Sequence, residues 1–264
     1  MGKPQVSVVQ YLNTVPLIWG MLHGEERGKF ELDFTTPACC ADAVRGGAAD
    51  VGIIPSIEYQ RLEHAEIVDG VSIASKGRVR SVLLLAKSPI ERIRTVALDN
   101  SSRTSVALLA ILLRKFYGRE VESIPFAPHP DAMLERADAA LVIGDPALTY
   151  QGRVAAIYDL AEEWKKFTGL PFVFALWVGN AEAKLARFVK DFESSRDYGL
   201  AHVDEIAEEY GPKCGLYPQA VKVYLTTNID YTLDGENRRG LVLFYQLAHE
   251  TGQIPAVKEL KFAS

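Results

Sequence analysis

Short β-branched and aliphatic runs alternate with helical segments through the first two thirds of the chain, and this alternation constrains the fold more than any other feature. It calls for mainly parallel sheets covered by helices. The first strand is expected over 5–11, followed by a turn and a helix opening at Pro16, where proline suits the first helical turn. A strand near 30–35 leads through Pro37 to a helix over 39–45. Asp50-Val51-Gly52-Ile53-Ile54-Pro55 reads as a short buried strand, and Ser56 as the cap of a helical turn holding Glu58 and Tyr59. Strands over 67–74 and 80–86 are expected to complete this sheet.

At Lys87-Ser88-Pro89 a second alternation begins. It has strands over 94–98, 121–126, 139–143, 154–158 and 172–178, with helices over 103–117, 131–136, 145–150 and 159–168 between them. From about 181 onward the pattern is helical, with segments over 181–199, 202–210, 217–226 and 235–252. An insert entered near 87 and left near 178 implies two crossings between lobes: lobe I from 1–87 plus 179–264, lobe II from 88–178. Two crossing segments make a hinge, and hinged lobes close over ligands. The arrangement resembles the type II periplasmic-binding-protein architecture. The expected fold is therefore α/β and two-lobed, with a hinge and a helical C-terminal segment. In open α/β sheets ligands bind beyond the carboxyl ends of the strands, which directs attention to the loops there.

Composition narrows the function. Of 264 residues, 48% are hydrophobic and 24% charged, which is ordinary for a globular chain. The net charge is −5 and the basic residues are scattered, so the electrostatic footprint of a nucleic-acid binder is missing. An anionic ligand must then be captured by local donors. Cys39, Cys40 and Cys214 do not form a sensible disulfide framework, and an odd count suits a reducing compartment. The chain enters its first strand at once, with no signal-peptide core, and no apolar run approaches the roughly 20 residues of a membrane span. The expectation is a cytoplasmic protein that binds a small molecule and neither nucleic acid nor membrane. No sequence patch marks an oligomeric interface.

Asp99-Asn100-Ser101-Ser102-Arg103-Thr104-Ser105 is the most informative stretch. Hydroxyls and unpaired backbone N–H groups converge there at a helix N-terminus, which is a ready anion site. Simple capping is the alternative, but four hydroxyl residues in five positions exceed what a cap needs. Asn13, after the first strand, presents an amide able to donate to or accept from a ligand hydroxyl, although a turn-forming Asn reads the same way. Ser56 by itself reads as a cap. Ser81 is a small polar residue opening an apolar strand, with Arg80 on the opposite face, and a solvated edge is its plain reading. Asp145, in Gly144-Asp145-Pro146-Ala147, reads first as a helix cap, and Phe172 lies in the run Pro171–Trp177, which offers an aromatic wall at the exit hinge but reads mostly as core. Cys39 and Cys40 lack metal-ligand spacing to the histidines, and His129 is the one histidine near the expected cleft. P-loop, GxGxxG and GxSxG motifs are absent, so neither a cofactor, a metal nor a covalent serine mechanism is expected.

Tyr11-Leu12-Asn13-Thr14-Val15-Pro16-Leu17, Asp50-Val51-Gly52-Ile53-Ile54-Pro55-Ser56, Arg80-Ser81-Val82-Leu83-Leu84 and Ser101-Ser102-Arg103-Thr104-Ser105 together resemble the chorismate dehydratase family of the futalosine route to menaquinone. Gly144-Asp145-Pro146-Ala147-Leu148 and Pro171-Phe172-Val173-Phe174-Ala175 agree, and these motifs hold no departure from the family pattern. The resemblance spans nearly the whole chain, the helical tail being its least distinctive part. It implies loss of water from chorismate to give 3-[(1-carboxyvinyl)oxy]benzoate, with no cofactor. It also implies Asn13 and Ser81 beside the reacting carbons, and Ser56, Ser102, Arg103, Thr104, Ser105, Asp145 and Phe172 around the substrate. Neither Asn nor Ser is a base at neutral pH. Asp145, His129 and the substrate's own enolpyruvyl carboxylate are the candidates for the proton, the last being favoured. Two rivals share the fold: the naphthoate-forming synthase of the same route, against which the Tyr11-Leu12-Asn13-Thr14 motif argues, and a plain small-anion binding protein.

Overall fold

The computed structural model describes residues 2–99, 101–180 and 183–263. Asn100 and the start of the helix expected at 181 lie outside the described residues. Twelve described strands form two sheets. The first contains β1 (Gln5–Val9), β2 (Glu31–Thr35), β3 (Val51–Pro55), β4 (Ala65–Ser75), β10 (Phe172–Asn180), β11 (Asp230–Thr232) and β12 (Phe262–Ala263). Its order is β11-β4-β10-β3-β1-β2, with β12 paired to β4. The second contains β5 (Val82–Ala86), β6 (Thr95–Asp99), β7 (Glu122–Phe126), β8 (Ala139–Ile143) and β9 (Ala156–Asp159), in the order β7-β6-β8-β5-β9.

The strand alphabet explains the layering. β3, β5 and β8 are apolar at every position and buried at every position, as central strands covered on both faces must be. β2 alternates charged and apolar residues and forms an exposed edge. Helices α1 (Val15–His23), α2 (Pro37–Arg45), α3 (Ser56–Tyr59), α4 (Arg103–Ile111), α5 (Pro130–Arg136), α6 (Gly144–Leu148) and α7 (Leu160–Thr168) connect the strands. α8 (Val189–Ala201), α9 (Val203–Lys213), α10 (Pro218–Val223) and α11 (Gly235–Glu250) form the helical tail. Prolines open α1 and α2, the Thr36 hydroxyl accepts from Cys39 N to cap α2, and Asp234 caps α11. The tail packs on the first lobe through α1 and α8. A Cβ on Gly199 would lie 2.0 Å from the Pro16 carbonyl oxygen, so no larger residue fits that crossing.

Two strand assignments differ from the sequence reading. β5 pairs antiparallel with β8 and β9, so it opens the second sheet instead of closing the first. β10 pairs antiparallel with β3 and β4, so it belongs to the first sheet. A fully apolar run shows that a strand is buried, but not which sheet buries it. The crossings therefore run over 76–81 and 160–171, and boundaries at 87 and 178 are displaced by one strand each. Both crossings are tied to one carboxylate. Asp159 Oδ1 accepts from Val79 N (3.2 Å) and caps α7 through Ala161 N (3.1 Å) and Glu162 N (3.2 Å), while Oδ2 accepts from Arg80 N (2.6 Å). β11 and β12 escape a pattern reading because three and two residues are too short to alternate. α4 and α10 end in π-helical turns over 112–116 and 224–228, which splits the two helices expected at 103–117 and 217–226.

Candidate active site

A cleft opens between the lobes, at the carboxyl ends of β1, β3, β6 and β8. Its walls are apolar: Val9, Ile73, Val79, Val82, Ile143 and Phe174 line it, with Pro37 and Pro55. Its polar lining consists of Tyr11, Asn13, Ser81, Ser102, Thr104 and Ser105. Among the described residues this lining includes no Lys, Arg, His, Asp or Glu. An anion bound here is held by neutral donors and by helix dipoles, not by ion pairs.

Ser102, Thr104 and Ser105 are all buried and stand at the start of α4, directly beyond β6. Ser102 occupies the cap position but its side chain makes no capping bond. The Ser102 side chain thus leaves the first-turn N–H groups of α4 unbonded, the condition under which a helix end takes an anion. Thr104 is partly committed, since its Oγ1 accepts from Ile57 N at 3.2 Å. Asp99 supports the turn from below: Oδ1 accepts from Ser101 N (2.8 Å) and from the Ser101 hydroxyl (2.7 Å). Its Oδ2 is buried without a partner among the described residues, and burial pushes its carboxyl up.

Asn13 sits in the single 3-10 turn 12–14 that follows β1. Ser81 closes the first crossing. It is 1% exposed, so it is no solvated edge, and its Oγ accepts from the Tyr224 hydroxyl at 2.8 Å. Arg80 before it has a φ of +65°, a strained conformation for a long side chain. Tyr224 was not signalled by any motif, because it lies in the tail and reads as an apolar-face residue of a helix.

Four of the expected substrate contacts are placed elsewhere. Ser56 Oγ donates to the Val173 carbonyl at 2.8 Å and lies behind Thr104, outside the lining. Arg103 turns away from the cleft and bonds Asp42 and Glu58, both at 2.9 Å. Glu58 is wholly buried and also takes Arg45 and Arg61, so this cluster joins α4 of one lobe to α2 and α3 of the other. Asp145 is no helix cap. Its Oδ1 accepts from Leu12 N across the lobes at 3.1 Å, and burial raises its pKa. Beside it Gly144 has a φ of +64°, and a Cβ there would lie 2.8 Å from the Tyr11 ring, so glycine is required for the two lobes to meet. Phe172 is 1% exposed in an aromatic core with Trp164 and Phe244. Phe174, one step along the same face, supplies the aromatic wall. His129 is exposed in the loop before α5 and does not reach the lining. The signal that separates these groups is partner choice, which sequence spacing does not carry.

The fold and cleft define a two-lobed α/β protein of the periplasmic-binding-protein type. Solved structures of that fold superimpose on it. A protein of Archaeoglobus fulgidus does so with a TM-score of 0.77 at 19% identity, over 96% of this chain and 98% of its own. The periplasmic aliphatic sulphonate binding protein of Escherichia coli does so with a TM-score of 0.65 at 14% identity, over 99% and 94%. The chain belongs to the menaquinone biosynthesis family, which it matches over residues 4–250. It is 30% identical to the chorismate dehydratase of Thermus thermophilus, over 92% of this chain and 94% of the relative. It is also 32% identical to the chorismate dehydratase of Campylobacter jejuni, over 48% of this chain and 43% of the relative. Both relatives are named for a hydro-lyase activity. No helix among the described residues is long and apolar enough to cross a membrane.

Proposed function

We propose that this chain is a chorismate dehydratase that converts chorismate to 3-[(1-carboxyvinyl)oxy]benzoate in the futalosine route to menaquinone. The observation that carries the reading is the cleft lining: Asn13 and Ser81 share one cleft with the hydroxyls of Ser102, Thr104 and Ser105 at the start of α4. Family membership and similarity to two chorismate dehydratases support it. Three free cysteines fit a cytoplasmic setting.

The chemistry asks little of the protein. The C3–H bond breaks and its electron pair becomes the third double bond of the ring. Hydroxide leaves C4 with the C–O pair. The proton joins it as water, and aromatisation drives the step. Ser102, Ser105 and the α4 N–H groups hold one carboxylate, and Asn13 and Ser81 flank the C3–C4 bond. The described lining holds no carboxylate or imidazole, which favours the substrate's enolpyruvyl carboxylate as proton acceptor. The protein then acts by holding that carboxylate against C3 and keeping water out.

The test is incubation of purified protein with chorismate alone, followed by chromatography and mass spectrometry. Formation of the enolpyruvyl benzoate is the expected result. Tight binding of intact chorismate would make the chain a binding protein, and no binding would remove chorismate altogether.

A further inference from the structure

Tyr224 lies 143 residues beyond Ser81 and reaches it from the helical tail. It stands where α10 passes into the π-helical turn 224–228, and such turns are frequent at functional sites. The ring is 1% exposed, and its hydroxyl donates to Ser81 Oγ at 2.8 Å. A phenol has one proton to give, and here it goes to Ser81. The Ser81 proton must point elsewhere. Ser81 lines the cleft, and among the described residues its hydroxyl finds no acceptor. The backbone is held as well: Gly144 N donates to the Ser81 carbonyl at 2.8 Å, and Arg80 holds its positive φ.

We propose that Tyr224 is a positioning residue which, by donating to Ser81, fixes the Ser81 O–H as a donor aimed at the oxygen that leaves C4. This rests on the chorismate reading above. Ser81 keeps its proton throughout; it stabilises the departing oxygen by a hydrogen bond, and the C3 proton completes the water. Burial pushes the Tyr224 phenol well up, so the residue stays a neutral donor throughout the neutral range. A tyrosine placed only for packing does not need its hydroxyl.

Tyr224→Phe keeps the ring and removes that hydroxyl. The expected result is a fall of about tenfold in kcat with KM changed less than about twofold, the size of one lost hydrogen bond in the transition state. Combined with Ser81→Ala, the double variant should be no slower than Ser81→Ala alone, because Tyr224 acts through Ser81. An unchanged kcat, or multiplied losses in the double variant, would overturn the proposal. Difluorotyrosine placed at 224 covers the case in which the phenylalanine variant does not fold. Its more acidic hydroxyl should give kcat a falling alkaline limb that wild type lacks, and an unchanged pH profile overturns the proposal equally. Wild-type protein inert towards chorismate would remove the functional reading, whereas active wild type with unaffected variants would remove only the role of Tyr224.

Discussion

Two polar groups face the same cleft and are assembled in opposite ways. Ser102, Thr104 and Ser105 come from one peptide at the start of α4, so their proximity is given by covalent connection and one helical turn. Asn13 and Ser81 come from a turn after β1 and from the first crossing, and Tyr224, buried behind Ser81 and outside the lining, comes from the tail. The first group is a local device that any strand–helix junction with enough hydroxyls presents. The second exists only when both lobes and the tail are in place. On the proposed function, binding the anion and acting on it are separable, the one resting on a local device and the other on tertiary contacts.

Substitutions set that comparison at risk. Asn13→Ala and Ser81→Ala should each lower kcat by about 100-fold and leave KM within about threefold, as for loss of one donor to developing negative charge. If both variants stayed within a few-fold of wild type, the tertiary group would have no part in the chemistry. Ser102→Ala and Ser105→Ala should act the other way, raising KM about tenfold with kcat little changed. A collapse of kcat in either would show that the two groups are not divided between binding and reaction. Arg103→Met should remove about 1 kcal/mol of unfolding free energy in urea with kcat preserved, because Arg45 and Arg61 still cover Glu58. A loss of kcat comparable to that of Ser81→Ala would return Arg103 to the site.

Asp99→Asn is the smallest change and tests the support under the local group. Burial places the native-state pKa of Asp99 above its unfolded value of about 3.9, so ionisation favours the unfolded chain. Wild-type stability contributed by this group is complete below about pH 4 and falls as pH rises towards the native pKa. Asn carries no such penalty. The variant should melt a few degrees higher at neutral pH, and its advantage should fade as the pH is lowered towards 4. Calorimetry across that range checks the sign.

The pattern of apolar runs and breakers was enough to place most strands and helices, because a buried strand must be apolar and a helix must show one apolar face. It failed at β5 and β10, where burial on both faces erases the alternation that would point to one sheet or the other. It failed too at Arg103, Asp145 and Phe172. Each lies inside a motif that meets the cleft, but their side chains answer to Asp42 and Glu58, to Leu12 N and to Trp164 and Phe244. Motif membership brought them near the site without deciding which way they face.

The amino-acid sequence by itself determined the α/β layering, the start of α4 with its surplus of hydroxyls, and the family to which those motifs point. These rest on neighbours along the chain, through helix periodicity, capping and strand burial. Only the tertiary structure decided which sheet takes β5 and β10, which arginine and aspartate become ties between lobes, and that Tyr224 meets Ser81. Those outcomes depend on contacts between residues far apart in the chain, where a hydrogen bond is chosen by which donor and acceptor the packed fold brings within reach.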